Sequence, residues 1–147
     1  MHSERYTKFI SRLKTKNLIA LDGAIGTELQ KRGVKMDGSW CGSASLYQDI
    51  LKKVHIDYIH AGSKIITTNT YASSRIMLKA AGMEKRFEEI NQKAINAALN
   101  AREETNKNDI LIAGSISHRY PIADGDILSQ AAVNVSKNEL QDSTHEM

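Results

Sequence analysis

Residues 65–71 read Ile65-Ile66-Thr67-Thr68-Asn69-Thr70-Tyr71. The stretch is apolar where it begins and rich in hydroxyls and an amide where it ends. An apolar run without alternation suits a strand buried on both faces, as in a parallel sheet. Two other stretches repeat the pattern. Leu18-Ile19-Ala20-Leu21 ends at Asp22-Gly23, and Ile110-Leu111-Ile112-Ala113 ends at Gly114-Ser115. The three starts, at 18, 65 and 110, fall at near-equal intervals.

Helical patterns fill the gaps. Leu46, Ile50, Val54 and Tyr58 share one face of a helix over 44–61, with Gly62 as its stop. Phe87, Ile90, Ala94, Ala98 and Ala101 mark a longer helix over 85–104. Shorter helices are expected at 26–32, closed by Gly33, and at 74–81, closed by Gly82; Thr27 and Gln30 fit a capping box. Strand–helix alternation points to βαβ units in the α/β class, within one domain spanning 1–147. Three such units form only the first part of a closed barrel, which needs eight strands.

The flanks differ from this middle. Arg5, Lys8, Arg12, Lys14 and Lys16 stand against Glu4, with Phe9, Ile10 and Leu13 on one helical face. That segment reads as a short amphipathic helix packing against the first strand, or as a mitochondrial transit peptide. The tail over 122–147 is polar and lacks a fourth strand, and Ser136 or Lys137 to His145 reads as the start of a helix.

Composition bounds the partners. The chain has 147 residues, 41% hydrophobic and 25% charged, with a formal net charge of +3. That charge is too small, and too evenly spread, for nucleic acid or a membrane surface. No apolar run approaches the ~20 residues of a membrane span, and no signal-peptide core is present. The single cysteine, Cys41, excludes an internal disulfide and a multi-cysteine metal site built from this chain alone. It suits a cytoplasmic setting.

In parallel α/β proteins, ligands sit beyond the C-terminal ends of the strands. Asp22 to Thr27 offers a carboxylate for an ammonium group and free N–H groups for a carboxylate. The same stretch is also readable as a tight turn in which Asp22 caps a helix. It is no P-loop, because the Gly-Lys-Ser/Thr ending is missing. Thr67 to Tyr71 offers hydroxyls and an amide, or simply β-propensity. His118, past the third strand, reads as an acid–base group or as a surface histidine. His55 and His60 are five apart and do not share a helix face. Trp40 and Cys41 lie in a loop over 37–45 that reaches across the strand ends; Cys41 has no evident base partner and reads as a bystander thiol.

Taken together, LDGAIGTELQKRG (21–33), VHIDYIHAGSKIITTNTYASS (54–74) and IAGSIS (112–117) resemble the opening motifs of the homocysteine S-methyltransferase family. ADGDILSQAAVNVSKNEL (123–140) resembles the family's stretch after the third strand, and the likeness covers about 16–145. The resemblance implies a TIM-type (β/α)₈ barrel that moves a methyl group to homocysteine, giving methionine. Donors in the family include S-methylmethionine, S-adenosylmethionine, betaine and methylcobalamin. Zinc would hold the substrate sulfur as a thiolate. Asp22 and Gly23 match the family's clamp for the amino and carboxylate groups. Asn69 and Thr70 match the second strand end of that pocket.

The departures concern the metal. The family's zinc is held by three cysteines on later segments, and Cys41 matches none of them. A later glutamate that helps bind the amine has no counterpart either. The third motif usually continues Gly-Pro, where this chain reads Ser117-His118. The expectation is a chain with a substrate grip, no metal ligands and no catalytic residue of its own, inactive alone. Its alternative is a non-catalytic half barrel that self-associates through its open edge or pairs with a missing half. A barrel enzyme with a phosphate ligand is a third class.

Overall fold

The computed structural model describes residues 4–15, 18–117, 138, 141, 142 and 145. Its elements are helix α1 (Glu4–Lys14), α2 (Ile25–Lys31), α3 (Gln48–His60), strand β1 (Ile65–Thr67), α4 (Arg75–Lys79), α5 (Phe87–Glu104) and β2 (Leu111–Ala113). The stretch 118–137, with His118, lies outside the described residues, as does most of the helix read before His145.

β1 and β2 pair in parallel, with Ile65 opposite Leu111, Ile66 opposite Ile112 and Thr67 opposite Ala113. The run 18–21 differs from the full strand its composition suggests. It touches β1 at a single parallel bridge, Leu21 to Ile65. The Lys64 amide donates to Ala20 O at 2.8 Å, and the Asp22 amide to Ile65 O at 3.1 Å. These bonds lie on one side only, and Leu18 is 99% and Leu21 59% exposed. An apolar run needs cover on both faces to be buried, and here the helices cover one.

That covered face carries the core. Ile66 packs with Ile59, Ala98, Ala101 and Ile110, and Ile112 lies against them. Register then puts Leu21, Ile65 and Leu111 together on the opposite face. α5 buries Ala94, Ala97, Ala98 and Ala101, small residues that let α3 come close. Leu51, Val54 and Leu29 fill the space between α2, α3 and the loop above them. Each fully buried leucine or isoleucine contributes roughly 1.5–3 kcal/mol.

Helix stops follow the glycines. Gly33, Gly62 and Gly82 adopt φ of 85°, 105° and 66°. After each, the next amide returns to the helix: Val34 to Leu29 O, Ser63 to Tyr58 O, Met83 to Leu78 O. This is the Schellman closure, which a left-handed glycine permits.

Helix starts depart from expectation. The capping box is absent: α2 begins at Ile25, its cap is Ala24 without a side-chain bond, and Thr27 lies inside the helix. The predicted helix over 44–61 is a 3-10 turn at Ser43–Leu46 followed by α3, because Tyr47 (φ −86°, ψ 55°) breaks the helical path. α4 is shorter than predicted and is capped by Ser74, whose hydroxyl accepts the Met77 amide at 3.3 Å. α5 follows a 3-10 turn over Glu84–Arg86.

α1 buries no residue. It reaches the strands where they begin: Arg5 Nε donates to Asn108 O at 2.6 Å, and Phe9 shares a cavity with Ile19, Lys64 and Asp109. Among the described residues, no helix is long and apolar enough to cross a membrane.

Candidate functional site

Asp22 stands where the first run leaves β1, and Thr67 ends β1 itself. Asp22 Oδ2 accepts the Thr67 amide at 2.6 Å, and Oδ1 accepts the Thr67 hydroxyl at 2.9 Å. The carboxylate is thus fixed beyond the strand ends, half-buried. Burial raises its pKa above the ordinary aspartate range, and the two Thr67 bonds oppose that rise.

Gly23 follows, with the Tyr58 ring of α3 packed beside it. A Cβ there would lie 2.8 Å from the Tyr58 hydroxyl oxygen. Tyr58 Oη donates to Ala24 O at 3.3 Å, bracing the turn from below. Gly23 to Thr27, running into α2, line one wall of a cavity.

A cavity of about 410 Å³ opens at this point, lined by Asp22, the turn 23–27, Trp40, Cys41, Thr67, Asn69 and Tyr71. Asp22, Gly23 and Asn69 are brought together, as the sequence suggests. Asn69 is buried, and its Nδ2 donates to Cys41 O at 2.9 Å and Ser45 Oγ at 3.0 Å. Its amide hydrogens thereby tie the loop over 37–45 to the strand end.

Thr70 faces elsewhere. Its hydroxyl donates to Ser115 O at 2.7 Å and accepts the Ser115 amide at 3.1 Å, joining the second strand end to the third. It lines a separate cavity with Thr68, Phe87, Asn91, Ile112 and Ser115.

Two aromatics complete the Asp22 cavity. Trp40 is 48% and Tyr71 41% exposed. Trp40 holds φ at 62°, in the left-handed region that a bulky side chain disfavours. Tyr71 lies in a turn secured by Asn91, whose Nδ2 donates to Ser73 O at 3.1 Å. In the sequence, Trp40 falls in a loop over the strand ends without a role, and Tyr71 counts among the polar residues of the second strand end; an aromatic in each of these segments is the signal that was available. Thr67 reads as one of the strand-end hydroxyls or as a strand former; its bonds to Asp22 are not legible there, because they join two elements.

Cys41 is buried, against Gly26, where a Cβ would lie 3.3 Å from the cysteine Cβ. His60 is exposed while His55 is fully buried. Neither His55 ring nitrogen has a hydrogen-bond partner among the described residues, and burial pushes its pKa down to about 4. His55 is not among the residues lining the cavity.

Among the described residues, no three of His, Cys, Asp and Glu gather into a metal-binding group. Cys41 supplies one thiol, too few for a zinc site. These residues do not fit a resident zinc.

The arrangement is a pocket at the strand ends of a βα fold, with a half-buried carboxylate on its wall. Comparison with known proteins gives the family. The homocysteine S-methyltransferase profile matches residues 19–147, and the chain belongs to that family. An S-methylmethionine–homocysteine S-methyltransferase from Pongo abelii is 31% identical over 108 residues, 73% of this chain and 28% of that protein. The betaine–homocysteine S-methyltransferase 1 of Danio rerio is 30% identical, over 74% of this chain and 27% of its own length. The crystal structure of the homocysteine methyltransferase MmuM from Escherichia coli, in its metallated form, superposes with a TM-score of 0.61 at 30% identity; the match covers 72% of this chain and 40% of that one. The chain spans less than half the length of these relatives.

Proposed function

We propose that this chain forms the part of a homocysteine S-methyltransferase (β/α)₈ barrel that grips the substrate's amino-acid end. One observation carries the reading: the Asp22 carboxylate is held in place by Thr67 inside a cavity that also presents Trp40 and Tyr71. An ionised carboxylate at a strand end accepts an ammonium group. Homocysteine carries one. Gly23 and the turn behind it shape the wall, Asn69 holds the opposite loop in place, and Thr70 ties on the third strand end.

The aromatic pair suits the other reactant. Methyl donors such as S-methylmethionine and betaine are onium ions, and an onium ion is drawn to the face of a tryptophan or tyrosine ring. A cavity with an acid on one wall and aromatics on another can hold amine and onium together. Proximity of that kind is what methyl transfer in line requires.

Zinc, where the family carries it, would keep the attacking sulfur as a thiolate. The described residues hold no ligand set for it. The chain by itself is therefore expected to bind rather than to turn over, and its setting is taken as the cytoplasm on the strength of its lone thiol.

Calorimetric titration tests the grip. Homocysteine should bind, 4-mercaptobutyrate, which lacks the amine, should bind at least about tenfold more weakly, and Asp22→Asn should erase the difference. Equal affinity for the two ligands would refute the assignment. Methionine formation from homocysteine, S-methylmethionine and zinc by this chain alone would refute its inactivity.

A second reading rests on the exposed Leu18 and Leu21. An uncovered apolar edge invites another strand. The chain would then be a non-catalytic half barrel that self-associates or pairs with a complementary half.

A further inference from the structure

We propose that Asp37 is a positioning residue that fixes the indole of Trp40 as the wall of the Asp22 cavity that meets the methyl donor's cationic head. The inference rests on the donor reading above and deepens it, since it names what sets preference for a cationic donor.

A tryptophan at φ 62° is strained, and such a conformation persists only where its surroundings over-determine it. Asp37 supplies that determination. Its Oδ1 accepts the Ser39 amide at 2.8 Å and the Ser39 hydroxyl at 2.6 Å. Its Oδ2 accepts the Ser43 hydroxyl. Its backbone closes directly on Trp40: the Trp40 amide donates to Asp37 O at 2.8 Å, and the Asp37 amide to Trp40 O at 3.3 Å. The Ser39 hydroxyl then accepts the Ser43 amide at 3.1 Å, so one carboxylate organises residues on both sides of the indole.

The loop has no room to relax. A Cβ on Gly38 would lie 2.5 Å from Ala80 O, and one on Gly42 2.0 Å from Ala72 O. Ser39 and Ser43 are buried, while Trp40 between them is half-exposed and lines the cavity. Asp37 does not line it. Its effect on a ligand therefore passes through the loop, where Trp40 is the lining residue whose backbone it bonds directly. Without the carboxylate, the indole leaves its left-handed setting and the aromatic wall is lost.

Trp40 is the only tryptophan in the chain, so its emission reports this loop alone. The test uses the full chain with Asp37→Ala, Asp37→Asn and Ser43→Ala, each checked for fold by circular dichroism. Asparagine keeps an acceptor for Ser39, and the Ser43 hydroxyl can turn to accept from its amide. The probes are acrylamide quenching of Trp40, and affinities for S-methylmethionine and for methionine, which lacks the positive sulfur.

In Asp37→Ala, quenching should rise, and S-methylmethionine affinity should fall about tenfold while methionine affinity changes less than about twofold. Asp37→Asn should restore both readouts, and Ser43→Ala should shift them in the same direction by less. If alanine unfolds the chain, the Ser43→Ala result decides. Unchanged quenching overturns the proposal, and so does an equal loss for both ligands, which a merely structural role would give. Should wild-type Trp40 ignore S-methylmethionine while Asp37→Ala still raises quenching, the donor reading fails and the positioning of Trp40 stands.

Discussion

The carboxylate of Asp22 closes a ring with Thr67, accepting its amide at 2.6 Å and its hydroxyl at 2.9 Å. The bond pair ties the edge run to the last residue of β1 and sets the carboxylate on the wall of the cavity. It also sets two effects against each other. Burial raises the Asp22 pKa, and Thr67 restrains the rise.

Asp22→Asn should separate stability from binding. A carboxyl whose folded pKa is raised contributes stability below its ordinary value, lost as pH rises through the folded value. At pH 7 the wild type therefore bears the cost of a half-buried charge that asparagine lacks. Asp22→Asn should unfold at an equal or slightly higher urea concentration than wild type at pH 7, and the gap should close as pH falls. Homocysteine affinity should fall to that of 4-mercaptobutyrate all the same. Thr67→Val should do the reverse for stability, lowering it by about 1 kcal/mol, and should move the acid limit of homocysteine binding to higher pH. A Thr67→Val profile that overlays the wild type would show that the hydroxyl does not support the carboxylate.

His55 should make the fold acid-sensitive. Its folded pKa of about 4 lies below the ordinary 6.5. The stability it contributes is complete above 6.5 and is lost as pH falls toward the folded value. At pH 5 the loss should be about 2 kcal/mol. Leucine at this position removes the titration and the two unpartnered nitrogens. His55→Leu should match or exceed wild-type stability at pH 7 and should flatten the urea midpoint between pH 7 and 5. An unchanged slope would place the acid sensitivity elsewhere.

Much of this frame was legible in the sequence, for physical reasons that also explain the failures. Gly33, Gly62 and Gly82 marked helix ends correctly because a left-handed stop is a local demand that few residues meet. The runs at 65 and 110 read as strands because unbroken apolar stretches favour a sheet, and here each finds the other as a parallel partner. The run at 18 has the same composition, yet its cover depends on what lies beside it, which no local pattern encodes. Thr27 resembled a cap, but the helix had already begun at Ile25. At the site, Asp22, Gly23 and Asn69 converged as read, because strand ends converge in any parallel sheet. Thr70 did not join them, since its hydroxyl is engaged by Ser115. Asp37 was invisible as an organiser because its partners, Ser39 and Ser43, gain meaning only once Trp40 is seen over the cavity.

The glycines of the Trp40 loop should tolerate less than the helix stops do. Gly33→Ala meets nothing within 4 Å and bears only the strain of φ 85°, about 1–2 kcal/mol. Gly42→Ala drives a Cβ to 2.0 Å from Ala72 O, a backbone atom that cannot step aside. Its cost should reach about 3 kcal/mol or more, and acrylamide should quench Trp40 more readily as the loop shifts. Urea unfolding of both variants checks the ranking; a Gly42→Ala chain as stable as Gly33→Ala would mean that the loop yields.

Self-association should be tunable at Leu21. This residue shares the uncovered face of the sheet with Ile65 and Leu111 and is 59% exposed. Its exposure means that a lysine there disturbs the folded chain by less than about 0.5 kcal/mol. In an edge-to-edge pair, however, the same lysine would be carried into an apolar seam. Charged residues on an exposed edge are a common device against such pairing. Size-exclusion with light scattering should show wild-type chains associating as concentration rises, and Leu21→Lys should shift that association to higher concentration with unfolding unchanged. A monomeric wild type would remove the self-association reading, and an association indifferent to Leu21→Lys would move the contact to another face.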